Sequence, residues 1–178
     1  MISRHLYALV ALVCVISFSC KGQKKEPAPE VKDTVSFSIP QRPIGFVSDF
    51  SQVLTESQVQ YLDSLLKAHE KETTNEVAVV TFDPDTNQVK TKEDFDQLSL
   101  FLFTQWGVGK KDMNNGVGLL VSPQQRKVRI EVGTGLESKL TDAEAKQIID
   151  SILLPAFREG DYYRGIYGAT EAIIREIK

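Results

Sequence analysis

Histidine and cysteine are nearly missing: 178 residues carry two of each, with a single tryptophan and two methionines. His5 and Cys14 fall within the first 19 residues, which read as a leader, so His69 and Cys20 remain in the mature chain. One thiol excludes an intramolecular disulfide, and the fold must hold by core packing. One histidine and one thiol cannot supply a zinc site, or the Ser-His and Cys-His pairs of nucleophilic catalysis. His69 sits in a helical stretch ending "HEKE" and reads as a helix-surface or boundary residue. Charge of one sign is also scarce. The net charge is −3, with no basic stripe and no interleaving of aromatic and basic residues, which argues against nucleic acid as a partner.

No apolar run is long enough to span a bilayer, which takes about 20 residues. The longest candidate, "LYALVALVCVISF" (6–18), has 13 and follows Arg4. A basic start, a short apolar core and small residues before the next segment make residues 1–19 a secretory signal. "SFSC" then resembles a lipobox, with Ser17 and Phe18 departing from its common form, so Cys20 is the expected site of lipidation. Removal of Arg4 with the signal takes the net charge from −3 to −4. Residues 20–43 are polar, hold Pro27, Pro29, Pro40 and Pro43, and show no regular period. They read as a flexible linker that holds a domain clear of a membrane. The expected location is the cell envelope, lipid-anchored on the periplasmic or outer-membrane side.

From residue 44 to 178 the periods alternate. "IGFV" (44–47) is a short strand, and "EVAVVTF" (76–82) is a near-continuous apolar run, as in a strand covered on both faces. Between them Thr55 and Gln58 form a capping box ahead of Val59, Leu62, Leu65, Leu66 and His69 at helical spacing. Phe95, Leu98, Leu102 and Trp106 mark a second helix, apolar nearly all round and therefore expected to be deeply buried. "GVGLLVS" (116–122) and "KVRIEV" (127–132) flank a four-residue turn and form a hairpin. Thr141 and Glu144 cap a third helix, which Pro155 ends or kinks, and Asp161 caps a fourth with Ile166, Ile173, Ile174 and Ile177 inward. The order β-α-β-α-β-β-α-α calls for right-handed parallel crossovers plus an antiparallel member. The expected fold class is α/β: a three-layer α/β/α sandwich, with a Rossmann-like mixed sheet of about four strands and one β-hairpin.

Four stretches together resemble the TPM domain family, whose members include thylakoid-lumen, photosystem and nematode receptor-associated proteins. They are "FVSDFSQVLTESQ" (46–58), "FTQWGVGKKDMNNGVGLLVS" (103–122), "KVRIEVGTGLESKLTDAEAKQII" (127–149) and "LPAFREGDYYRGI" (154–166). The resemblance implies an α/β/α sandwich on the outer side of a membrane, modest binding of a divalent cation, weak phosphatase activity, and a role assisting membrane complexes. The family usually has Asp-Asn-Gly where this chain has Asn114-Asn115-Gly116, so charge in that loop falls to Asp112.

Taken on their residues alone, two loops could hold a hard cation. "DMNNG" has oxygen ligands but not EF-hand spacing: counting from Asp112, position six is Val117 and position twelve is Pro123. Asn-Gly before a strand is also ordinary turn chemistry. "DPDTNQ" places Asp83, Asp85 and Asn87 at alternate positions, yet lacks the distant acids and lysine of a dehalogenase-type phosphatase. The glycines of "GTGLE" (133–137) suit a sharp exit from strand to helix. If the first three strands are parallel, Asp49, Asp83 and Asp85 gather at their carboxyl ends, with Asp112–Asn115 and Gly133–Glu137 at the opposite edge. Joining Asp49 to the Asn-Gly loop, as the resemblance suggests, needs the first strand antiparallel. Following the resemblance, the candidate ligands for Ca²⁺ or Mg²⁺ are Asp49, Asp112, Asn114, Asn115 and Glu137. The expected function is a membrane-tethered envelope accessory domain that binds a membrane protein or envelope complex, with a metal-dependent, acid-phosphatase-like phosphomonoester hydrolase as the alternative.

Overall fold

Helical and strand-like periods resolve into β1 (Val47–Asp49), α1 (Glu56–Thr73), β2 (Glu76–Thr81), α2 (Lys92–Trp106), β3 (Gly116–Ser122) and β4 (Lys127–Val132). They continue as α3 (Asp142–Ile148), a π-helical turn (Ile149–Leu153), α4 (Leu154–Arg158) and α5 (Tyr162–Ile177). This is a computed structural model, which describes residues 37–178. The signal segment, Cys20 and the linker up to residue 36 lie outside the described residues. Among the described residues no helix is long and apolar enough to cross a membrane.

The helix starts follow from side-chain chemistry. Thr55 Oγ1 accepts from Gln58 N, and Gln58 Oε1 accepts from Thr55 N at 2.8 Å; Thr141 and Glu144 make the same reciprocal pair. Thr91 and Asp94 form a third box, one that the sequence signature misses because Asp stands where Glu or Gln is usual. At the other end of the chain, Pro155 has no N–H to donate and would crowd the carbonyl four residues back. The chain widens there into the π turn, where Leu154 N reaches Ile149 O, so the proline interrupts the helix without ending it.

The strands lie in the order β1-β2-β3-β4, with β1, β2 and β3 parallel and β4 antiparallel. Alternate residues feed two cores. Val77, Val79, Val117, Leu119 and Val121 face α1, α3 and α5, while Ala78, Val80 and Leu120 face α2. That is the three-layer α/β/α sandwich with one hairpin. The handedness of its crossovers departs from expectation. The steps β1→β2 and β2→β3 run in the same direction between parallel strands, but α1 and α2 lie on opposite faces. The two crossovers therefore have opposite hands, and one of them is of the rare left-handed kind.

The α2 face corrects two further expectations. This helix buries Phe95, Leu98, Ser99, Leu102 and Phe103, but Leu100 is 59% exposed and Trp106 is half-buried. Part of its apolar surface is covered by residues read from sequence as the end of the linker. Phe37 is buried with its ring 5.9 Å from that of Phe101, and Trp106 Nε1 donates to Pro40 O at 2.9 Å. Among the described residues, packing thus extends back past residue 44 to include Phe37. Within the same layer, a Cβ on Gly118 would stand 2.3 Å from the Phe103 ring, so glycine is required for α2 to approach β3. On the other face His69 is buried, not a surface residue. Burial pushes its imidazole below the usual value, and Thr73 Oγ1 lies 3.3 Å from Nε2.

Candidate functional site

Because β1, β2 and β3 all run the same way, their carboxyl ends form one edge and their amino ends the other. Asp49 closes β1 on the carboxyl edge. The Asn-Gly loop leads into the amino end of β3, so the structure does not bring Asp49 together with Asp112, Asn114, Asn115 and Glu137. The five-residue ligand set drawn from the resemblance is divided between opposite edges of the sheet.

On the carboxyl edge the carboxylates bind their own chain. Asp49 Oδ1 accepts from Val53 N at 3.2 Å and from the Thr81 hydroxyl, while Oδ2 accepts from Leu54 N at 2.8 Å. These bonds hold the loop from β1 to α1 against the end of β2. Asp83 ties three segments: Oδ2 accepts from Ser51 Oγ at 2.7 Å, and Oδ1 accepts from Ser122 Oγ at 2.7 Å and Gln124 N at 2.9 Å. Asp85 accepts from Asn87 N and Nδ2, closing its own turn. These acids stitch strand ends and loops together.

The amino edge divides into spent and free groups. Asn115, 3% exposed, donates through Nδ2 to Thr74 O at 2.8 Å and Asn75 Oδ1 at 3.2 Å, and its Oδ1 accepts from Lys110 N at 2.8 Å. It is a buried bracket. Asn114 takes a left-handed backbone (φ +46°), and its carbonyl accepts from Gly135 N at 3.0 Å. Gly133 N likewise donates to Gly116 O at 2.8 Å, so the loops 112–115 and 133–137 lie side by side. Their approach is so close that a Cβ on Gly135 would stand 2.0 Å from Met113 O. Lys110 is drawn away from Asp112: its ammonium lies 2.5 Å from Glu70 Oε1, and that hydrogen bond raises its pKa. Asp112 and Glu137 are exposed and make no ion pair among the described residues.

This donor set fits a hard cation only in part. Two exposed carboxylates with neighbouring carbonyls and water suit weak binding of Ca²⁺ or Mg²⁺, whereas Asp49 and Asn115 are committed elsewhere. Among the described residues no three His, Cys, Asp or Glu side chains come together as a metal cluster. Sequence reasoning missed a different feature. A cavity of about 420 Å³ opens where the β3–β4 turn meets α4 and α5, walled by Val128, Leu154, Phe157 and Tyr162 and bordered by Arg126 and Arg158. The available signal was an arginine ending the hairpin turn and another in "FREGD", two residues whose proximity only the fold reveals.

Comparison with known proteins agrees with this architecture. The N-terminal domain of a protein from P. gingivalis, solved by NMR, is 34% identical, with a TM-score of 0.64 over 74% of this chain and 80% of that one. The N-terminal domain of a Corynebacterium glutamicum protein shares the fold at 16% identity, with a TM-score of 0.54 over 82% of this chain and 90% of that one. A protein of the psychrophilic bacterium Bizionia argentinensis does so at 17% identity and a TM-score of 0.59, over 72% and 83%. No curated protein matches the chain. The model of the TPM domain matches residues 47–176, which takes in β1 to β4 and α1 to α5 but for the last residue of α5. With that match across most of its length, the chain belongs to the TPM domain family.

Proposed function

We propose that this protein is an accessory domain of the bacterial cell envelope, tethered to a membrane through Cys20, that works by binding a partner membrane protein or complex. The observation that carries this reading is the commitment of Asp49, Asp83 and Asn115 to backbone and hydroxyl partners of their own chain. Groups that would serve as nucleophile, base or metal ligand instead brace loops. The molecule offers its partner a tyrosine-rich face. Tyr61 on α1 is 54% exposed and stands 5.9 Å from Tyr167 on α5, which stacks at 5.9 Å on Tyr163. Tyr167 donates to Glu171 Oε1 at 2.6 Å, and that bond raises its pKa. Tyrosines of this kind, apolar in body and polar at the tip, are enriched in protein interfaces. The cation, Ca²⁺ or Mg²⁺, belongs in this reading to the amino edge, through Asp112 and Glu137.

The test pairs anchoring with capture. The lipidated protein drawn from native membranes brings a membrane protein with it in comparable amount, and Tyr61→Glu loses that protein while remaining membrane-bound. Cys20→Ala leaves the membrane fraction. Membrane association of Cys20→Ala equal to wild type contradicts the tether. Turnover of phosphomonoesters at or above ~1 s⁻¹, a rate ordinary for enzymes, surviving a chelator, contradicts the accessory role.

A further inference from the structure

The cavity on the carboxyl edge has the chemistry of a ligand site, and no residue of the amino edge takes part in it. Part of its wall is apolar: Val128 from β4, Leu154 and Phe157 from α4, and the ring of Tyr162 from α5, beside Ser122 at the end of β3. Its border is cationic. Arg126 ends the β3–β4 turn and Arg158 ends α4; both are exposed, and neither pairs with a carboxylate among the described residues. Arg42 is likewise without a carboxylate partner among the described residues, whereas Arg129 is held by Glu131, Arg164 by Glu159 and Asp161, and Arg175 by Glu176. Lys127 lines the cavity but sends its ammonium away, to Thr91 O and over the Phe95 ring. The nearby acids are engaged: Asp83 by Ser51, Ser122 and Gln124, and Glu159 and Asp161 by Arg164.

Backbone conformation points the same way. Arg126 has φ +52°, a left-handed conformation that glycine or asparagine would adopt more cheaply. Arginine stands there against local preference, and strain of this sort collects where a side chain is used. A cavity of about 420 Å³ lies in the range of small-molecule sites. Two guanidinium groups with open donors match the paired oxygens of a carboxylate or phosphate.

We infer that this cavity binds an organic anion: an oxyanion head held between Arg126 and Arg158, on an apolar or aromatic body packed against Val128, Leu154, Phe157 and Tyr162. The ligand is either a free small molecule or the headgroup of an anionic lipid, and the two sources share this chemistry.

Phenylphosphonate, which carries an aromatic body and a dianionic head without a hydrolysable ester, is the probe. Titrated into the full chain and followed by amide NMR, it shifts residues 122–128 and 154–162 and saturates at millimolar concentration. Benzyl alcohol lacks the charge and inorganic phosphate lacks the ring, so each binds more weakly. Arg158→Ala and Arg126→Gly each weaken phenylphosphonate by about tenfold or more, the loss expected for a charge-assisted bond. Arg126→Gly relieves the strained φ, so its Tm equals or exceeds that of wild type, which separates lost binding from lost folding. Binding to phosphatidylglycerol vesicles over phosphatidylcholine vesicles, lost in both variants, assigns the headgroup. Phenylphosphonate binding without that vesicle preference assigns a soluble ligand. No saturable shifts in these segments, shifts unchanged in both variants, or equal affinity for inorganic phosphate overturns the inference.

Discussion

The two edges of the sheet are both acidic in sequence and differ in what their acids do. On the carboxyl edge Asp49 and Asp83 accept six hydrogen bonds from the chain itself. On the amino edge the polar bracket is an amide, Asn115, and the carboxylates of Asp112 and Glu137 face solvent. An aspartate in a loop is therefore a different object depending on whether neighbouring backbone N–H groups turn toward it. The first edge is braced by Asp49 and Asp83, whereas on the second Glu76 accepts from Gly109 N at 3.2 Å while Asp112 and Glu137 are displayed.

Substitution should expose that difference most strongly in stability. Asp49→Ala orphans two backbone N–H groups and a threonine hydroxyl, and is expected to cost about 2–4 kcal/mol. Asn115→Ala, which leaves Thr74 O and Lys110 N unpaired, is expected to cost about 2–3 kcal/mol. Asp112→Ala should stay within about 0.5 kcal/mol of wild type. Urea unfolding midpoints measure all three, and an Asp112 variant as unstable as the Asp49 variant would erase the distinction. Next in size is Gly118→Ala, whose methyl meets the Phe103 ring and is expected to cost about 1–3 kcal/mol by overpacking.

A pH series tests a buried group outside both edges. Burial lowers the His69 pKa, so the unfolded chain binds its proton first as pH falls. Stability should decline below the ordinary histidine value of about 6.5, and the loss should level off once pH passes the lower folded value. His69→Gln removes that component, and a wild-type-minus-variant difference flat between pH 7.5 and 5.5 would show the histidine to be solvated. The smallest effect concerns catalysis. Any hydrolysis of generic phosphomonoesters is expected to be slow, abolished by chelator and lost in Asp112→Asn, with Tm unchanged.

Sequence patterns reached the elements and stopped short of their arrangement. The Thr55–Gln58 and Thr141–Glu144 caps, the hairpin and the four-strand mixed sheet were legible because capping and periodicity are local chemistry. The placement of α1 and α2 on opposite faces was not, since handedness depends on which face a helix chooses. Neither was the packing of Phe37 on α2, because a proline-rich segment has no period to betray a single anchoring ring. His69 read as a helix-surface or boundary residue although its spacing matched Leu62 and Leu66, and the structure buries it in their stripe. The ligand set was divided for another reason: the resemblance joined Asp49 to the Asn-Gly loop, which needs β1 antiparallel, and β1 runs parallel to β2 and β3.

Calcium titration of the full chain, followed by backbone amide NMR, separates the two edges. Weak, saturable shifts are expected in residues 112–116 and 133–137, with the amides of 49–54 and 81–85 unmoved. Shifts centred on 49–54 and 81–85, with the amino edge silent, would contradict that expectation and return the cation to the Asp49 side of the sheet.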